Sequence, residues 1–282
     1  MLKKILKIIA SIFIILIIGL YFAFRIFTAP KSDQKILEAY KTSAIKPKLS
    51  KEKFKGFSYR KIKIESDSTL PTLVFVHGTI GSLNDFSKYL ADSLLQTKYN
   101  MIAYDRIGYN YKDENPVQES IAFERDMLKE VIKDLPAEKT ILVGYSYGGP
   151  IALAIKKKVK KIVLLAPAIH SEIEPIPWMI NFYKWRLTRW LVPRIWRQAA
   201  KEKLSHKADL KNFESEWGET TNTVVSIHGS SDWIVPYENS SMLKDKFNTS
   251  NQFSLITIDK ASHALVWTNF DFIKEQLLKI VN

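Results

Sequence analysis

Residues 140–149 read TILVGYSYGG, an apolar run that leads into a serine with one glycine two positions before it and another two positions after it. The run over residues 140–143 predicts a buried strand, and a helical pattern follows it. Gly144 and Gly148 stand where a sharp turn from strand to helix leaves little room for side chains. Because the Gly-x-Ser-x-Gly pattern also arises by chance, its weight comes from this strand-to-helix context. Ser146 is therefore the candidate nucleophile of the chain.

Short apolar runs alternate with helical patterns over most of the remaining sequence. The predicted strands are residues 59–65, 72–76, 101–104, 140–143, 161–165, 223–227 and 253–258. The predicted helices are residues 85–95, 119–134, 147–157, 237–247 and 267–281. Such alternation predicts an α/β fold, with a mostly parallel sheet and helices on both of its faces. In sheets of this kind the functional residues gather at the carboxyl ends of the strands.

One segment, residues 170–222, interrupts this alternation. It contains no convincing strand, and it carries five of the seven tryptophans, namely Trp178, Trp185, Trp190, Trp196 and Trp217. Four arginines are interleaved with them: Arg186, Arg189, Arg194 and Arg197. We expect this segment to be a helical insertion that covers the sheet as a cap. The tryptophans either pack inside the cap or contact an apolar substrate or a lipid surface, and the sequence leaves these alternatives open.

A serine hydroxyl becomes a good nucleophile when a base accepts its proton, and the base needs an acid that holds its tautomer. The chain has five histidines, and His263 lies directly after the last predicted strand and before the last predicted helix. Asp232 lies just past the predicted strand over residues 223–227, whereas Asp209 and Asp259 are weaker candidates for the acid. We therefore predict His263 as the base and Asp232 as the acid.

An oxyanion that develops during nucleophilic attack needs two hydrogen-bond donors. One expected donor is the backbone N–H of Tyr147, the residue that follows the candidate nucleophile. The other is the backbone N–H of Thr79, in the loop HGTIGS over residues 77–82. We expect His77 to support this loop and not to act as a base.

Four segments together resemble the α/β-hydrolase superfamily. They are the turn at residues 77–79, the segment DRIGYN at residues 105–110, the Ser146 turn, and the pair formed by Asp232 and His263. The resemblance covers about residues 58–282 and implies the order nucleophile, acid, base along the chain. It also implies a sheet of about eight strands, a helical cap after the sixth strand, and neither a metal nor an organic cofactor.

Two features depart from the pattern of that superfamily. Tyr109 and Asn110 stand where its members usually have small residues, so we expect the loop after the strand over residues 101–104 to be shaped differently. The nucleophile is a serine and not an aspartate, which disfavours the haloalkane dehalogenases and epoxide hydrolases of the same superfamily.

The amino-terminal segment has the composition of a transmembrane anchor. Three lysines precede an uncharged apolar run over residues 8–24, which Arg25 ends. As a helix the run is roughly 26 Å long, slightly shorter than a hydrocarbon core of about 30 Å, and the flanking Lys7 and Arg25 can reach the two interfaces. A cleaved signal peptide with a site near Thr28-Ala29 is the competing interpretation, and a buried core helix is disfavoured because no polar face exists.

The expected organisation follows from this segment. Residues 1–28 form a single-pass anchor in the cell membrane, residues 29–57 a polar tether, and residues 58–282 the hydrolase domain with its cap at about residues 170–222. The lysines at the start favour an amino terminus in the cytoplasm, so the catalytic domain is expected outside it.

Net charge and motifs narrow the choice of partners. The net charge of +13 favours anionic surfaces, but no nucleic-acid-binding motif is present, so a membrane surface is expected and nucleic acid is not. The absence of cysteine excludes thiolate catalysis. The resulting hypothesis is a serine hydrolase of the carboxylesterase or lipase kind, which cleaves an ester or related acyl bond of an apolar or lipid-like substrate through an acyl-enzyme. Hydrolysis of amide or carbon–carbon bonds, and a membrane-tethered binding protein without catalysis, remain alternatives.

Overall fold

Eight strands form one sheet, in the order β1-β2-β4-β3-β5-β6-β7-β8, in a computed structural model that describes residues 2–247 and 251–281. The strands are β1 Lys48–Phe54, β2 Phe57–Ile64, β3 Thr72–Val76, β4 Asn100–Tyr104, β5 Thr140–Tyr145, β6 Lys161–Leu165, β7 Val224–Gly229 and β8 Phe253–Ile258. The pairs β1–β2 and β2–β4 are antiparallel, and all other neighbouring strands are parallel. The predicted α/β fold with a mostly parallel sheet is confirmed.

Helices lie on both faces of this sheet. In chain order, all the helices of the described residues are α1 Leu2–Phe27, α2 Asp33–Glu38, α3 Ser87–Ala91, α4 Ser93–Gln96, α5 Ile121–Val131, α6 Gly148–Leu153, α7 Ile180–Lys184, α8 Arg194–Leu210, α9 Glu238–Lys244, α10 Leu265–Thr268 and α11 Phe270–Leu278, of which α1 and α7 do not pack on the sheet. Short 3₁₀ turns cover Leu83–Phe86, Ala137–Lys139, Arg189–Leu191 and Glu214–Glu219.

The sheet separates two apolar cores. Successive side chains of β3 point to opposite faces, so Leu73 and Phe75 belong to one core and Val74 and Val76 to the other. The first core contains residues of α2, α3, α4, α10 and α11, and the second contains residues of α5, α6 and α9. Because both faces are covered, the central strands read as continuous apolar runs, which is why they were recognisable in the sequence.

The segment expected to be a polar tether, residues 29–57, differs from that expectation. It contains α2, whose Ile36 is fully buried, and β1, which pairs along its length with β2. Tyr40, just after α2, is also buried in the core. The sequence of β1, KLSKEKF, conceals the strand because an edge strand with exposed lysines lacks an apolar run.

The predicted cap forms the connection from β6 to β7. It consists of α7, α8 and the 3₁₀ turns Arg189–Leu191 and Glu214–Glu219. At the amino terminus, helix α1 has no buried residue. Among the described residues, α1 is the one helix long and apolar enough to cross a membrane, and a helix at this position fits a signal sequence equally well.

Candidate active site

Ser146 lies in the turn between β5 and α6, with a backbone φ of 54° that side-chain-bearing residues rarely adopt. A Cβ added to Gly148 would lie 2.2 Å from the Val76 carbonyl oxygen, and one added to Gly144 would lie 2.4 Å from the Gly148 carbonyl oxygen. Two hydrogen bonds, one to β6 and one to the segment that follows it, hold the turn: Ser146 N–H donates to Leu165 O at 2.9 Å, and Ala168 N–H donates to Ser146 O at 3.2 Å. The two glycines are therefore a steric requirement of this turn.

The structure brings Ser146, His263 and Asp232 together at the carboxyl edge of the sheet. His263 Nε2 is 3.0 Å from Ser146 Oγ, and His263 Nδ1 is 2.7 Å from Asp232 Oδ2. Since a carboxylate accepts, Nδ1 carries the proton and Nε2 is left to accept the proton of the serine hydroxyl. This is the hydrogen-bond order that a serine nucleophile, a histidine base and a carboxylate acid require.

The Asp232 carboxylate is held in its ionised form. Burial alone would raise its pKa, but hydrogen bonds from His228 and His263, the charge of His263 and the Val235 amide outweigh burial and hold the pKa well below its ordinary value. The second carboxylate oxygen, Oδ1, accepts from the amides of Ile234 at 3.0 Å and Val235 at 2.9 Å. The two weaker candidates lie elsewhere: Asp209 accepts from the Ile121 amide and Asp259 from the Ser230 hydroxyl.

His228 is a neighbour of Asp232 to which the sequence reasoning gave no role. Its Nε2 is 3.0 Å from the Val235 carbonyl oxygen and 3.4 Å from Asp232 Oδ2, and both of these atoms are acceptors. Nε2 therefore carries a proton that faces the acid. On the other side of the ring, Nδ1 is 2.7 Å from the hydroxyl of Ser240. The position of His228 in β7, four residues before Asp232, was the signal available in the sequence.

Tyr145 is a second residue that the sequence reasoning missed. Its ring stacks on the His263 ring with 5.2 Å between centroids, and its hydroxyl donates to the His263 carbonyl oxygen at 2.9 Å. Tyr145 thus holds both the ring and the backbone of His263 from the end of β5.

The loop after β3 runs directly beside the nucleophile. A Cβ added to Gly78 would lie 2.7 Å from Ser146 Cβ and 3.3 Å from Ser146 Oγ. In the part of the chain that the structure describes, neither the Thr79 N–H nor the Tyr147 N–H donates to another residue. His77 lies under this loop, where it donates from Nδ1 to Gly78 O at 2.7 Å and accepts at Nε2 from Arg106 N–H at 2.9 Å. Burial and the Arg106 charge lower the pKa of His77 well below its ordinary value, so the ring is neutral.

A buried ion pair joins the cap to the loop beside the nucleophile. Arg106, after β4, donates to Glu202 of α8 through two nitrogens at 2.7 and 2.9 Å, and also to Gly78 O at 3.2 Å. The same carboxylate accepts from the Thr79 hydroxyl at 2.7 Å and from the Tyr109 hydroxyl at 2.7 Å. Burial would raise the pKa of Glu202, but the Arg106 charge and these hydrogen bonds lower it below its ordinary value. Tyr109, the departure noted above, thus reaches from its loop to the cap.

Glu124 of α5 completes this cluster. Its Oε1 is 3.7 Å from Arg106 Nη1, and neither of its carboxylate oxygens has a hydrogen-bond partner among the described residues. Burial raises the pKa of Glu124 to about 7, because the attraction of Arg106 is partly offset by the charge of Glu202. The cluster therefore holds one arginine between two carboxylates, of which Glu202 is the firmly ionised one.

No group of three or more histidine, aspartate or glutamate side chains within residues 2–247 and 251–281 is arranged to hold a metal ion. The expectation that the chain uses no metal or cofactor stays a prediction.

Comparison with known proteins agrees with this architecture. A family model described as the alpha/beta hydrolase fold matches residues 71–205. The sn-1-specific diacylglycerol lipase of Mus musculus is 27% identical over 92 residues, which is 33% of this chain and 30% of that lipase. The chain thus matches less than a third of the length of this relative.

Two solved structures show how far the fold is shared. Naproxen esterase from Bacillus subtilis superposes with a TM-score of 0.62 at 20% identity, over 89% of this chain and 99% of the esterase. An esterase from Exiguobacterium antarcticum superposes with a TM-score of 0.60 at 18% identity, over 80% of this chain and 96% of the esterase. The family match begins one residue before β3 and runs into α8, on a sheet with this strand order and this turn at its centre; the chain has the α/β-hydrolase fold.

Proposed function

We propose that this protein is a serine hydrolase that cleaves a carboxylic ester or a related acyl bond through an acyl-enzyme intermediate. The observation that carries the proposal is the chain of two hydrogen bonds from Ser146 through His263 to the ionised Asp232. The family match and the lipase and esterase relatives support the coarser assignment, a hydrolase. The proposed serine mechanism rests on the geometry of these three residues, and the proposed ester substrate on the lipase and esterase relatives.

The reaction follows from the positions of these groups. Ser146 Oγ attacks the carbonyl carbon while His263 Nε2 accepts the hydroxyl proton, and the Asp232 carboxylate stabilises the imidazolium through Nδ1. His263 then gives the proton to the leaving oxygen, and the acyl group stays on Ser146. A water molecule, deprotonated by the same nitrogen, attacks the acyl-enzyme; when the bond from the acyl carbon to Ser146 Oγ breaks, His263 returns the proton to Oγ and the acid is released.

The oxyanion of each tetrahedral intermediate is assigned to the backbone amides of Thr79 and Tyr147. Gly78 supports this assignment, since its close approach to Ser146 brings the Thr79 loop beside the reacting carbon. Preorganised amides of this kind stabilise negative charge where it develops, and loss of one donor typically costs about 10²- to 10³-fold in rate.

The substrate is proposed to be apolar or lipid-like. The mouse relative is a diacylglycerol lipase, and the two structural neighbours described above are esterases. The apolar helix α1 and the exposed tryptophans of the cap are consistent with a membrane-associated enzyme. In this proposal α1 is an uncleaved anchor in the cell membrane and the domain that follows it lies outside the cytoplasm.

A fluorophosphonate probe tests the proposal on the full-length protein in membranes. The wild type should be labelled in proportion to its folded fraction, and the Ser146→Ala variant should not be labelled. Ser241→Ala is a matched control and should leave labelling unchanged, because the Ser241 hydroxyl donates to Glu238 O within α9. A folded wild type that the probe leaves unlabelled would favour the non-catalytic binding protein.

A series of p-nitrophenyl esters of increasing acyl length, with an anilide of the same acyl group, then identifies the bond and the substrate. We expect ester hydrolysis that rises with chain length and is lost in Ser146→Ala. Faster turnover of the anilide than of the ester would redirect the assignment to amide bonds.

A further inference from the structure

The amino-terminal helix joins the domain at the same edge of the sheet as the active site. Arg60 in β2 is buried and donates to Asp105 Oδ2 at 2.7 Å, directly after β4. Its Nη1 also donates to Lys31 O at 2.8 Å and to Asp33 Oδ1 at 2.9 Å. Because β4 is parallel to β3, which is parallel to β5, Asp105 and Ser146 lie at the same carboxyl edge. The segment that follows α1 is thus fixed to the domain at the edge of the sheet where Ser146 lies.

The connection between helix and domain is very short. Helix α1 ends at Phe27, and Lys31 already bonds to Arg60. Four residue steps span at most about 14 Å when fully extended. A membrane that holds α1 therefore lies within this distance of the carboxyl edge of the domain.

A direct contact brings the cap to the same place. The Phe24 ring, in the last turns of α1, lies against the Trp196 ring of α8 with 5.3 Å between centroids and an interplanar angle of 35°. Trp196 belongs to the first turn of α8, immediately after the tryptophan-rich part of the cap. The cap is therefore the part of the domain that meets the end of α1.

The cap exposes a large apolar surface beside this contact. We define the aromatic cap surface by the side chains of Trp178, Met179, Phe182, Trp185, Leu187 and Trp190. Trp178 is 70% exposed, Trp185 is 66% exposed and Trp190 is 71% exposed. Six exposed large apolar side chains within the short segment 178–190 are uncommon on a monomer that faces water on all sides, and such groups indicate an interaction surface. Tryptophan is enriched at the depth of lipid headgroups, where one part of its ring system is apolar and its N–H is polar.

The charge of the cap segment indicates which kind of surface it would bind. From residue 175 to residue 201 there is no acidic residue, and there are six basic ones: Lys184, Arg186, Arg189, Arg194, Arg197 and Lys201. None of the six forms an ion pair within the described residues. An apolar partner protein would not require this excess of positive charge, whereas anionic headgroups above an acyl layer match both properties.

We infer that the aromatic cap surface is seated in the anionic interface of the same bilayer that holds α1, so that the active site faces the membrane. Combined with the proposed function, on which this part rests, the orientation means that an acyl lipid reaches Ser146 from the adjacent leaflet and not from the aqueous phase. The three supports are independent: the short connection, the Phe24–Trp196 contact, and the composition of the cap.

Single cysteines report the orientation directly, because the natural chain contains none. Nitroxide labels at Trp185→Cys and Leu187→Cys are compared with a label at Glu138→Cys, an exposed position at the opposite, amino-terminal edge of β5. The full-length protein is reconstituted in phosphatidylcholine vesicles with phosphatidylglycerol, and collision rates are measured with oxygen, which partitions into lipid, and with a water-soluble nickel chelate. We expect the labels at 185 and 187 to favour oxygen and the label at 138 to favour the nickel chelate.

The charge dependence is a second measurement on the same samples. Arg186→Ala should lower the equilibrium for seating of the cap about fivefold in anionic vesicles, since one basic residue near such a surface contributes on the order of 1 kcal/mol. In vesicles of phosphatidylcholine alone the same substitution should have little effect. Equal effects of Arg186→Ala in the two lipids would remove the electrostatic part of the inference.

Three outcomes overturn the inference. If the labels at 185 and 187 were as accessible to the nickel chelate as the label at 138, the cap would face water. Spin–spin broadening at 185 that persists in detergent would mean that a second copy covers the surface. If Trp185→Ser lowered hydrolysis of a water-soluble short ester as much as that of a bilayer-borne ester, the cap would not be the entry route. Because the labelling experiments also run in the Ser146→Ala background, they remain decisive even if the proposed catalysis fails.

Discussion

Glu202 Oε2 of the cap accepts a hydrogen bond from the Thr79 hydroxyl at 2.7 Å, so a cap carboxylate holds the loop whose amide is proposed to bind the oxyanion. The same carboxylate is fixed by the two nitrogens of Arg106, and Arg106 in turn donates to Gly78 O. The cap therefore does more than cover the site. It sets the position of a loop that lies next to Ser146.

Removal of the Thr79 hydroxyl tests this coupling. Thr79→Val keeps the shape of the side chain but loses the bond to Glu202, so the loop should lose its fixed position and kcat should fall about tenfold. KM should change by less than about twofold, because the oxyanion develops only in the transition state, so a displaced Thr79 amide weakens little of the binding of the substrate itself. Steady-state hydrolysis of a soluble ester measures both constants.

Thr79→Ser is the matched control for that variant. It keeps the hydroxyl and should retain kcat near that of the wild type. Equal losses in the valine and serine variants would mean that side-chain volume, and not the bond to Glu202, is what matters.

The pKa of Glu124 predicts a pH-dependent stability. The folded protein binds a proton at Glu124 up to about pH 7, whereas the ordinary value is 4.5, so between these values the folded state holds more protons than the unfolded state. The unfolding free energy contributed by this group is thus fully present below pH 4.5 and is lost as the pH rises towards 7. Glu124→Gln mimics the protonated form at every pH. The stability of the wild type relative to this variant should fall by up to about 3 kcal/mol across that window.

Urea unfolding at a series of pH values measures this difference. The difference between the wild type and Glu138→Gln, a substitution at an exposed glutamate, should not depend on pH, because that variant retains Glu124. Asp85 adds a slope of the same sign to all three proteins, because burial raises its pKa to about 7. A difference between wild type and Glu124→Gln that does not depend on pH would contradict the assignment.

The acid of the proposed triad is tested by Asp232→Asn. The amide preserves the acceptor for the Ile234 and Val235 backbone, so the loop should stay folded, but it cannot stabilise the imidazolium of His263. We expect kcat to fall by about 10³- to 10⁴-fold. Asp259→Asn, on the neighbouring loop, should stay within about twofold of the wild type because its carboxylate bonds to Ser230 instead. If Asp259→Asn were the inactive variant, the acid would have been misassigned.

The backbone conformation of Ser146 predicts that a side chain at this position lowers the free energy of unfolding. At a φ of 54° a residue with a side chain is strained by about 1–2 kcal/mol, and glycine is not. Ser146→Gly should therefore unfold with a free energy about 1 kcal/mol higher than Ser146→Ala, although both variants lack the hydroxyl. Chemical denaturation of the two inactive variants side by side is the measurement, and a less stable glycine variant would show that the turn carries no strain.

The features of this protein that could be predicted from the sequence are those set by residues close to one another along the chain. The turn around Ser146 requires glycines at fixed spacing, and Asp232 and His263 each follow a recognisable apolar strand, so local patterns were sufficient. By contrast, Glu202 stands in a polar helix of the cap, and its partner Thr79 is 123 positions away. No short pattern marks such a pair, because only the packing of the cap on the sheet creates it.

Two further features of the structure were not predicted from the sequence for the same kind of reason. Strand β1 is an edge strand whose lysines face solvent, so it lacks the apolar run by which the central strands were found. His228 lies inside β7, where a buried polar residue suggests a structural role, and its proximity to Asp232 depends on how the chain turns back after Gly229.

With α1 as the proposed membrane anchor, the connection from Phe27 to Lys31 has a kinetic consequence. An enzyme held this close to a bilayer searches for its substrate in two dimensions, and the relevant quantity is the number of substrate molecules per unit area. Turnover of an acyl lipid in the same membrane would then fall when the lipid is diluted with an inert one, and would stay constant when more substrate-containing vesicles are added. A protein on a long flexible leader would also sample other vesicles, and its rate would follow the total amount of substrate instead.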